Sequence, residues 1–156
     1  PAGRSIKNLS QYDNQYTAGG PDGMIDLLRG QKDWRIGGWQ GYHGKDFMAV
    51  VDLGSVQKVK RLGLGCIQEP KPWIMMPKEI VFEVSADGIN YHALKTITPK
   101  EDAHAEGAII KDLYTDCQEE IRYIRVKAVR YGALPEWHIS AGEESWLFVD
   151  EILIEQ

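Results

Sequence analysis

Short apolar runs separated by turn residues make up most of this chain, and they restrict its fold more than any other feature. In several runs every second side chain is apolar, so that Ile80, Phe82 and Val84 share one face of a predicted strand. No apolar repeat of helical period extends beyond a few residues. Because strands with one apolar face need a second layer to cover it, the pattern predicts an all-β sandwich.

Seven segments have the length and composition of strands. Asp87-Gly88 stands between two of them, where a tight turn requires residues that tolerate positive φ, so residues 79–97 are predicted to form a hairpin. The predicted strands are 47–53, 59–68, 79–85, 91–97, 108–114, 121–129 and 146–155.

Length and charge exclude several classes of protein. The 156 residues fit a single domain, 1–156, and the missing initiator methionine suggests a module cut from a larger multidomain protein. A net charge of -5 repels nucleic acid and anionic membrane surfaces. No apolar run reaches the roughly 18 residues of a membrane span, and no signal peptide is visible. We therefore expect neither nucleic acid nor a membrane as a partner.

Cys66 and Cys117 are the two cysteines, and neither lies in a CxxC motif. This excludes a disulfide framework and the usual zinc motifs. One bridge between them stays open, although two buried free thiols are the favoured interpretation.

The chain lacks the sequence signatures of catalysis. HExxH, GxSxG and phosphate-binding GxxxxGK motifs are absent. His138, Glu143 and Glu144 do not have the spacing of a helical metal-ligand pair. We expect no enzymatic activity, although a site assembled from distant segments stays open.

Three connections are longer than a sandwich needs, at 30–46, 67–77 and 131–145, and they hold four of the five tryptophans. Loops on a rigid scaffold often carry binding residues. A sugar ring offers C–H groups to an aromatic face and hydroxyls to polar side chains. These loops predict a sugar-binding surface, whereas Trp34 and Trp146 are interpreted as core caps. For Trp39 a place in the core stays open as the alternative to sugar binding. The candidate sugar-binding residues are Trp39, Gln40, Tyr42, His43, Gln68, Trp73, Trp137 and His138.

The segment GPDGMIDLLRGQKDW places Asp22, Asp26 and Asp33 around glycines. Calcium takes six to eight oxygens from carboxylates and backbone carbonyls, which a glycine-rich turn can supply. The spacing is not that of an EF-hand. From composition alone, two interpretations stay open: a cation site, or turn carboxylates that contact only solvent.

From about residue 10 to 155 the chain carries an ordered series of motifs: Asp26, Trp34, Trp39, Asp46-Phe47, Val51-Asp52-Leu53-Gly54, Trp73, Pro77, Val81 to Gly88, Arg122 to Val126, and Val149-Asp150-Glu151-Ile152. This series resembles the discoidin, or coagulation factor type C, family, and more narrowly the family 32 carbohydrate-binding modules. The segments IDLLRGQKDWRIGGWQGYHGKDFMAVVDLG and WHISAGEESWLFVDEI are similar to the C-terminal modules of bacterial β-N-acetylhexosaminidases, the chitobiase-like enzymes.

The resemblance implies an eight-stranded jelly-roll β-sandwich of the galactose-binding-like type, with sugars bound on loops at one end. It also implies a structural cation, commonly calcium, held by carboxylates and backbone carbonyls. The residues at the matching positions are Asp26 and Glu151 as carboxylates, with carbonyls near Gly23 and Arg29 and at Asp150.

The resulting hypothesis is a non-catalytic module that holds a parent glycoside hydrolase, a β-N-acetylhexosaminidase, at its glycan. Its expected partners are N-acetylhexosamine or galactose-type sugars and the parent catalytic domain. The resemblance implies a bacterial protein that is periplasmic, bound at the cell surface or secreted. One alternative is a docking domain whose loops pack on the catalytic domain. A further alternative is membrane attachment through residues 73–76, against which the acidic charge argues.

Overall fold

The computed structural model describes residues 4–156, and within them the chain forms seven antiparallel strands and two short 3₁₀ turns. Neither 3₁₀ turn, nor any other helical stretch in that range, is long and apolar enough to cross a membrane. The strands are β1 Ser5–Asn8, β2 Gln40–His43, β3 Phe47–Gln68, β4 Glu79–Ser85, β5 His92–Ala93, β6 Ile109–Val129 and β7 Trp146–Glu155, and the 3₁₀ turns are Gly23–Ile25 and Trp34–Ile36.

The long strands β3 and β6 each belong to both layers of a sandwich. They pair with each other on both sides of a bend, where the register shifts between Asp52 and Gln57. Gly54 has a φ of 87° in this bend, a left-handed conformation that glycine adopts without strain. β1 and β4 extend the layer formed by the first half of β3 and the second half of β6. β7 and β2 extend the other layer, because β7 pairs with the second half of β3.

The main core lies between the two layers. It combines residues from both halves of β3 with alternate residues of β4, β6 and β7, and most of them are fully buried. Phe82 of β4 and Val126 of β6 are directly paired, as the apolar alternation predicts.

A second buried cluster lies on the opposite face of β7. Phe148 belongs to this cluster, whereas its neighbours Leu147 and Val149 belong to the main core. Trp34 is buried in the second cluster and Trp146 packs against it, which confirms the interpretation of these two rings as core caps. The first four residues of β7, 146–149, are therefore apolar on both faces, since both faces are covered.

The all-β sandwich predicted from the sequence is confirmed, but its division into strands differs. The predicted strands 47–53 and 59–68 form one continuous strand, β3, and 108–114 and 121–129 form another, β6. Each of these strands bends and resumes its pairing after a shift of register. The 79–97 hairpin is present, with Gly88 at a φ of 79°, although β5 has only two residues. β1 lies outside the predicted strands, and β2 lies within the predicted connection 30–46. Both cysteines are free and buried, as favoured.

Candidate functional site

Four connecting segments meet at one end of the sandwich, which we call the loop end: 44–46, 69–78, 98–108 and 130–145. β2 ends and β7 begins there, with His43 opposite Trp146 in the register. β3 ends and β6 begins there too, because Gln68 pairs with Ile109. The strands thus bring two of the three predicted binding loops together, and the first loop contributes its last residues.

A groove of about 590 Å³ opens beside Trp137 at the loop end. The Trp137 side chain is 44% exposed, and its ring contacts that of His104 with 3.8 Å between centroids. Glu69, Lys71 and Glu106 also line this Trp137 groove. An aromatic face with donors and acceptors around it is the combination that a sugar ring requires.

The carbonyl oxygen of Pro70 connects the second and third loops. It accepts a hydrogen bond from the backbone N–H of Trp73 at 2.9 Å and another from Nε2 of His138 at 2.6 Å. Nδ1 of His138 accepts the N–H of Ser140, so Nε2 carries the proton of a neutral ring. His138 therefore positions its neighbour Trp137.

A second aromatic group, which we call the aromatic rim, consists of His43, Trp73 and Trp146. The His43 ring stacks on Trp146 with 4.6 Å between centroids and lies 6.2 Å from the Trp73 ring. His43 is exposed, and the two tryptophans are partly exposed. Nε2 of His43 lies 3.0 Å from the carbonyl oxygen of Glu144. The structure thus brings the predicted residues His43 and Trp73 together.

Trp73 has a φ of 76°, in the left-handed region that bulky residues rarely adopt. This conformation costs about 1–2 kcal/mol relative to an ordinary one. It is held by the N–H of Trp73, which donates to Pro70, and by its carbonyl, which accepts from the N–H of Trp146 at 2.7 Å. Glycine would adopt this φ without the cost.

Three candidate sugar-binding residues lie in the interior, and the prediction that they face solvent is wrong. Trp39 is 1% exposed, and Gln40 and Tyr42 are fully buried. The hydroxyl of Tyr42 donates to Oε1 of Gln40 at 2.7 Å. The reason is that both faces of β2 are covered: Tyr42 lies in the main core, whereas Trp39 lies in the second cluster. The Gln40 amide lies next to the backbone carbonyls of Thr17 and Gly20. A ligand on the loop end does not reach these three side chains.

Gln68 and His138 are also buried, at 1% and 7% exposure, contrary to their predicted place on an open binding surface. Nε2 of Gln68 donates to the carbonyl of Asp102 at 3.0 Å, and its Oε1 accepts the N–H of Met76 at 3.3 Å. Both polar groups of the Gln68 amide are thereby occupied, so Gln68 joins two loops of the loop end.

Residues 73–76, considered as a membrane-binding tip, do not project from the loop end. Ile74, Met75 and Met76 are all buried, and Ile74 packs in the second cluster. Only the ring of Trp73 is partly exposed. The segment therefore lacks the exposed apolar side chains that insertion into a bilayer requires.

Two residues of the loop end, His104 and Arg130, are not among the candidates predicted from the sequence. The ring of His104 nevertheless contacts that of Trp137. Arg130 donates from a guanidinium nitrogen to Asp46 at 3.2 Å, and its Nε lies 3.6 Å from a carboxylate oxygen of Glu144. No local motif could have indicated either residue, because their partners are distant in sequence.

Asp150 is a fully buried carboxylate that is bound by a cationic side chain. Nε of Arg29 and the N–H of Gly30 donate to the same oxygen of Asp150, at 2.9 and 3.0 Å. The Arg29 guanidinium also pairs with Asp112, and this hydrogen bond raises the pKa of Arg29. Burial raises the pKa of the Asp150 carboxyl, and the bonds from Arg29 and Gly30 oppose this. The Asp150 carboxylate thus already has a counter-ion in Arg29.

Asp26 and Glu151, the predicted carboxylate ligands of a cation, accept hydrogen bonds from neighbouring backbone N–H groups. The N–H of Leu27 donates to both carboxylate oxygens of Glu151 at 3.2 Å, and the N–H of Leu28 donates to Asp26 at 2.9 Å. Glu151 is 2% exposed, and burial raises its pKa to about 8. A buried carboxylate that accepts only one backbone N–H in the described part of the chain, that of Leu27, fits a hard cation, which would neutralise its charge.

In residues 4–156 no group of three His, Cys, Asp or Glu side chains is placed to hold a metal ion. A cation beside Glu151 would therefore also need backbone carbonyls or water. The carbonyls expected from the sequence are those of Gly23, in the first 3₁₀ turn, of Arg29 and of Asp150.

Comparison with known proteins depends on structure alone, because no family model and no curated protein matches this sequence. The module CpGH89CBM32-5 from Clostridium perfringens, in complex with GalNAc-β-1,3-galactose, is similar with a TM-score of 0.60 at 10% identity, over 99% of this chain and 96% of that one. Chitosan-binding module 1 from a chitosanase/glucanase of Paenibacillus sp. IK-5 has a TM-score of 0.57 at 19% identity, over 99% and 96% of the two chains.

A fragment of a putative chitobiase from Bacteroides thetaiotaomicron is similar to the same extent. Its TM-score is 0.57 at 18% identity, over 99% of this chain and 91% of the fragment. At these identities the comparison concerns the fold. The chain has the β-sandwich fold of the family 32 carbohydrate-binding modules, as the sequence resemblance implied.

Proposed function

We propose that this chain is a non-catalytic carbohydrate-binding module whose glycan binds in the Trp137 groove. The exposed ring of Trp137, backed by His104 and surrounded by polar side chains, is the observation that carries the proposal. Modules of the same fold are described in complex with GalNAc-β-1,3-galactose and with GlcNAc-α-1,4-galactose. These ligands support a glycan as the ligand class.

The groove binds a sugar by combining ring stacking with polar contacts. The C–H face of a pyranose lies on the indole of Trp137, while its hydroxyls bond to Glu69, Lys71 and Glu106. Oε1 of Glu69 accepts the indole N–H of Trp34 at 2.7 Å, which holds this carboxylate in place. One sugar on such an open surface gives a dissociation constant between about 1 mM and tens of micromolar.

The proposal extends to the type of sugar, the parent enzyme and the structural cation. The sugar is of the N-acetylhexosamine or galactose type, and the parent enzyme is a bacterial β-N-acetylhexosaminidase that acts in the periplasm, on the cell surface or outside the cell. The fold shared with a putative chitobiase fragment supports this parent. Calcium bound by Asp26 and Glu151 stabilises the fold and takes no part in the sugar contact.

The proposal is tested by calorimetric titration of the isolated domain with N-acetylglucosamine, N-acetylgalactosamine, galactose and mucin fragments. We expect Trp137→Ala to weaken binding at least tenfold. The matched control is Ile89→Ala, since Ile89 is 83% exposed on the hairpin turn at the opposite end of the sandwich. If no glycan binds at millimolar concentration, the proposal is wrong and a docking domain on the parent enzyme becomes the better interpretation.

A further inference from the structure

We infer that the ligand is an oligosaccharide of at least two sugar units, which crosses Pro70 from the Trp137 groove to the aromatic rim. The inference rests on the proposed function, because it assigns a length to the glycan bound at the loop end.

The loop end offers two aromatic surfaces, one on each of two neighbouring loops. Trp137 forms the first with His104, and Trp73 forms the second with His43. Pro70 lines the Trp137 groove, and its carbonyl oxygen is bonded to the N–H of Trp73. Pro70 therefore belongs both to the wall of the groove and to the turn that carries Trp73.

The two surfaces are held in a fixed relation before any ligand binds. His138 and the N–H of Trp73 share the Pro70 carbonyl as their acceptor. Glu69 and Ile74 exchange two backbone hydrogen bonds, at 2.9 and 3.1 Å, which close the loop below Trp73. Because Ile74 is buried, the loop is anchored to the second cluster. Binding two sugars at once therefore requires little ordering of the protein.

The polar groups next to the rim suit a neutral sugar. The side chains of Arg130 and Glu144 are 38% and 50% exposed and lie 3.6 Å apart. Arg130 supplies donors and Glu144 supplies acceptors. Arg130 also pairs with Asp46, which Lys127 approaches to 4.0 Å, so the two acidic and two basic side chains balance in charge. Next to them, the exposed ring of His43 lies against the backbone of Glu144. The rim thus offers hydroxyl partners beside an aromatic face, as the groove does.

Two linked contacts bind more tightly than one, because the second sugar is held near its site by the first. We expect chitobiose and chitotriose to bind at least tenfold more tightly than N-acetylglucosamine. In parallel, GalNAc-β-1,3-galactose should bind at least tenfold more tightly than galactose. Both series are measured by titration calorimetry on the intact domain.

Trp73→Gly is the decisive variant, since glycine removes the ring and accepts the positive φ of this residue. We expect it to abolish the gain in affinity from the second sugar, so that this variant binds oligosaccharide no more tightly than monosaccharide. Trp137→Ala should weaken both monosaccharide and oligosaccharide binding. Thermal unfolding of both variants verifies that they are folded.

The outcomes separate this inference from the proposed function. If monosaccharide and oligosaccharide bind the wild type equally, or if Trp73→Gly leaves the oligosaccharide affinity intact, the two-sugar ligand is wrong while sugar binding at Trp137 stands. If no sugar of either series binds, the proposed function itself fails.

Discussion

A side chain on Gly65 would overlap with Oδ1 of Asp150, because the two residues face each other across β3 and β7. The register between these strands shifts between Leu64 and Cys66, which leaves Gly65 opposite both Asp150 and Glu151. The same hypothetical side chain would also meet the guanidinium of Arg29. The missing side chain at residue 65 is thus what allows the buried Arg29–Asp150 pair to form.

We therefore expect Gly65→Ala to lower the free energy of unfolding by about 2–4 kcal/mol, because the added methyl group displaces a buried, paired carboxylate. Urea denaturation measures this change. The control is Asp112→Asn, which removes the exposed partner of the same arginine. It should cost less than about 1 kcal/mol, as exposed ion pairs do. Equal effects of the two substitutions would contradict the role assigned to Gly65.

Calcium should stabilise the domain through Glu151. After treatment with a chelator, addition of calcium to 100 times its dissociation constant is expected to raise the free energy of unfolding by about 2.7 kcal/mol. Glu151→Gln should abolish this response, since it removes one of the two carboxylates. In the absence of calcium the same substitution should be harmless or stabilising at pH 8, because it removes a buried negative charge.

Thermal unfolding with and without calcium distinguishes these effects. A wild-type unfolding temperature that does not respond to calcium would show that Asp26 and Glu151 do not form a cation site.

The acid stability of the domain should depend on Asp87. Its Oδ1 accepts the N–H groups of Ile89 and Asn90, both at 2.8 Å, and these bonds lower the pKa of Asp87. Because the folded pKa lies below the unfolded one, the unfolded chain binds more protons as the pH falls through about 4. The stabilisation by Asp87 is therefore present above that pH and is lost on acidification.

Asp87→Asn replaces the titrating group by a neutral amide of the same shape. We expect its free energy of unfolding to fall less steeply than that of wild type between about pH 5 and pH 2. Denaturation at a series of pH values measures both slopes. If the free energies of unfolding of the two proteins fell in parallel, other carboxylates alone would determine the loss of stability at low pH.

The hairpin that contains Asp87 could be predicted from sequence because its signals are local. The Asp87-Gly88 turn and the alternation of residues 79–85 lie within one short segment, and both operate in the folded chain as predicted. The all-β class follows from the same kind of pattern. The bends of β3 and β6 could not be predicted, since they depend on pairing between strands far apart in the chain.

The candidate site was predicted less well, because burial depends on which segment covers a strand. Trp39 and Tyr42 follow glycines and resemble loop residues, yet Trp39 packs in the second cluster and Tyr42 packs in the main core. One signal was available: the run Leu147-Phe148-Val149 lacks alternation, which is typical of a strand covered on both faces. A covered outer face requires rings to fill it, and Trp39 is one of them.

Substitution of Trp39 should affect stability, whereas substitution of Trp137 should affect glycan affinity, since Trp39 is buried and Trp137 is exposed. Trp39→Ala is expected to lower the free energy of unfolding by about 3–5 kcal/mol, because it empties a site in the second cluster. Its indole N–H also donates to the carbonyl of Gln31 at 2.9 Å. Trp39→Phe keeps most of the apolar volume, so it should fold and bind glycans with wild-type affinity.

Trp137→Ala should cost less than about 1 kcal/mol in stability, because surface substitutions away from the core have small effects. Trp137→Ala should instead lower the affinity for glycans. Urea denaturation and glycan titration of the three variants, in the same buffer, compare the two properties directly. If Trp39→Phe weakened glycan binding as much as Trp137→Ala while remaining as stable as wild type, the ligand would have to contact the second cluster, and the loop end would not be its site.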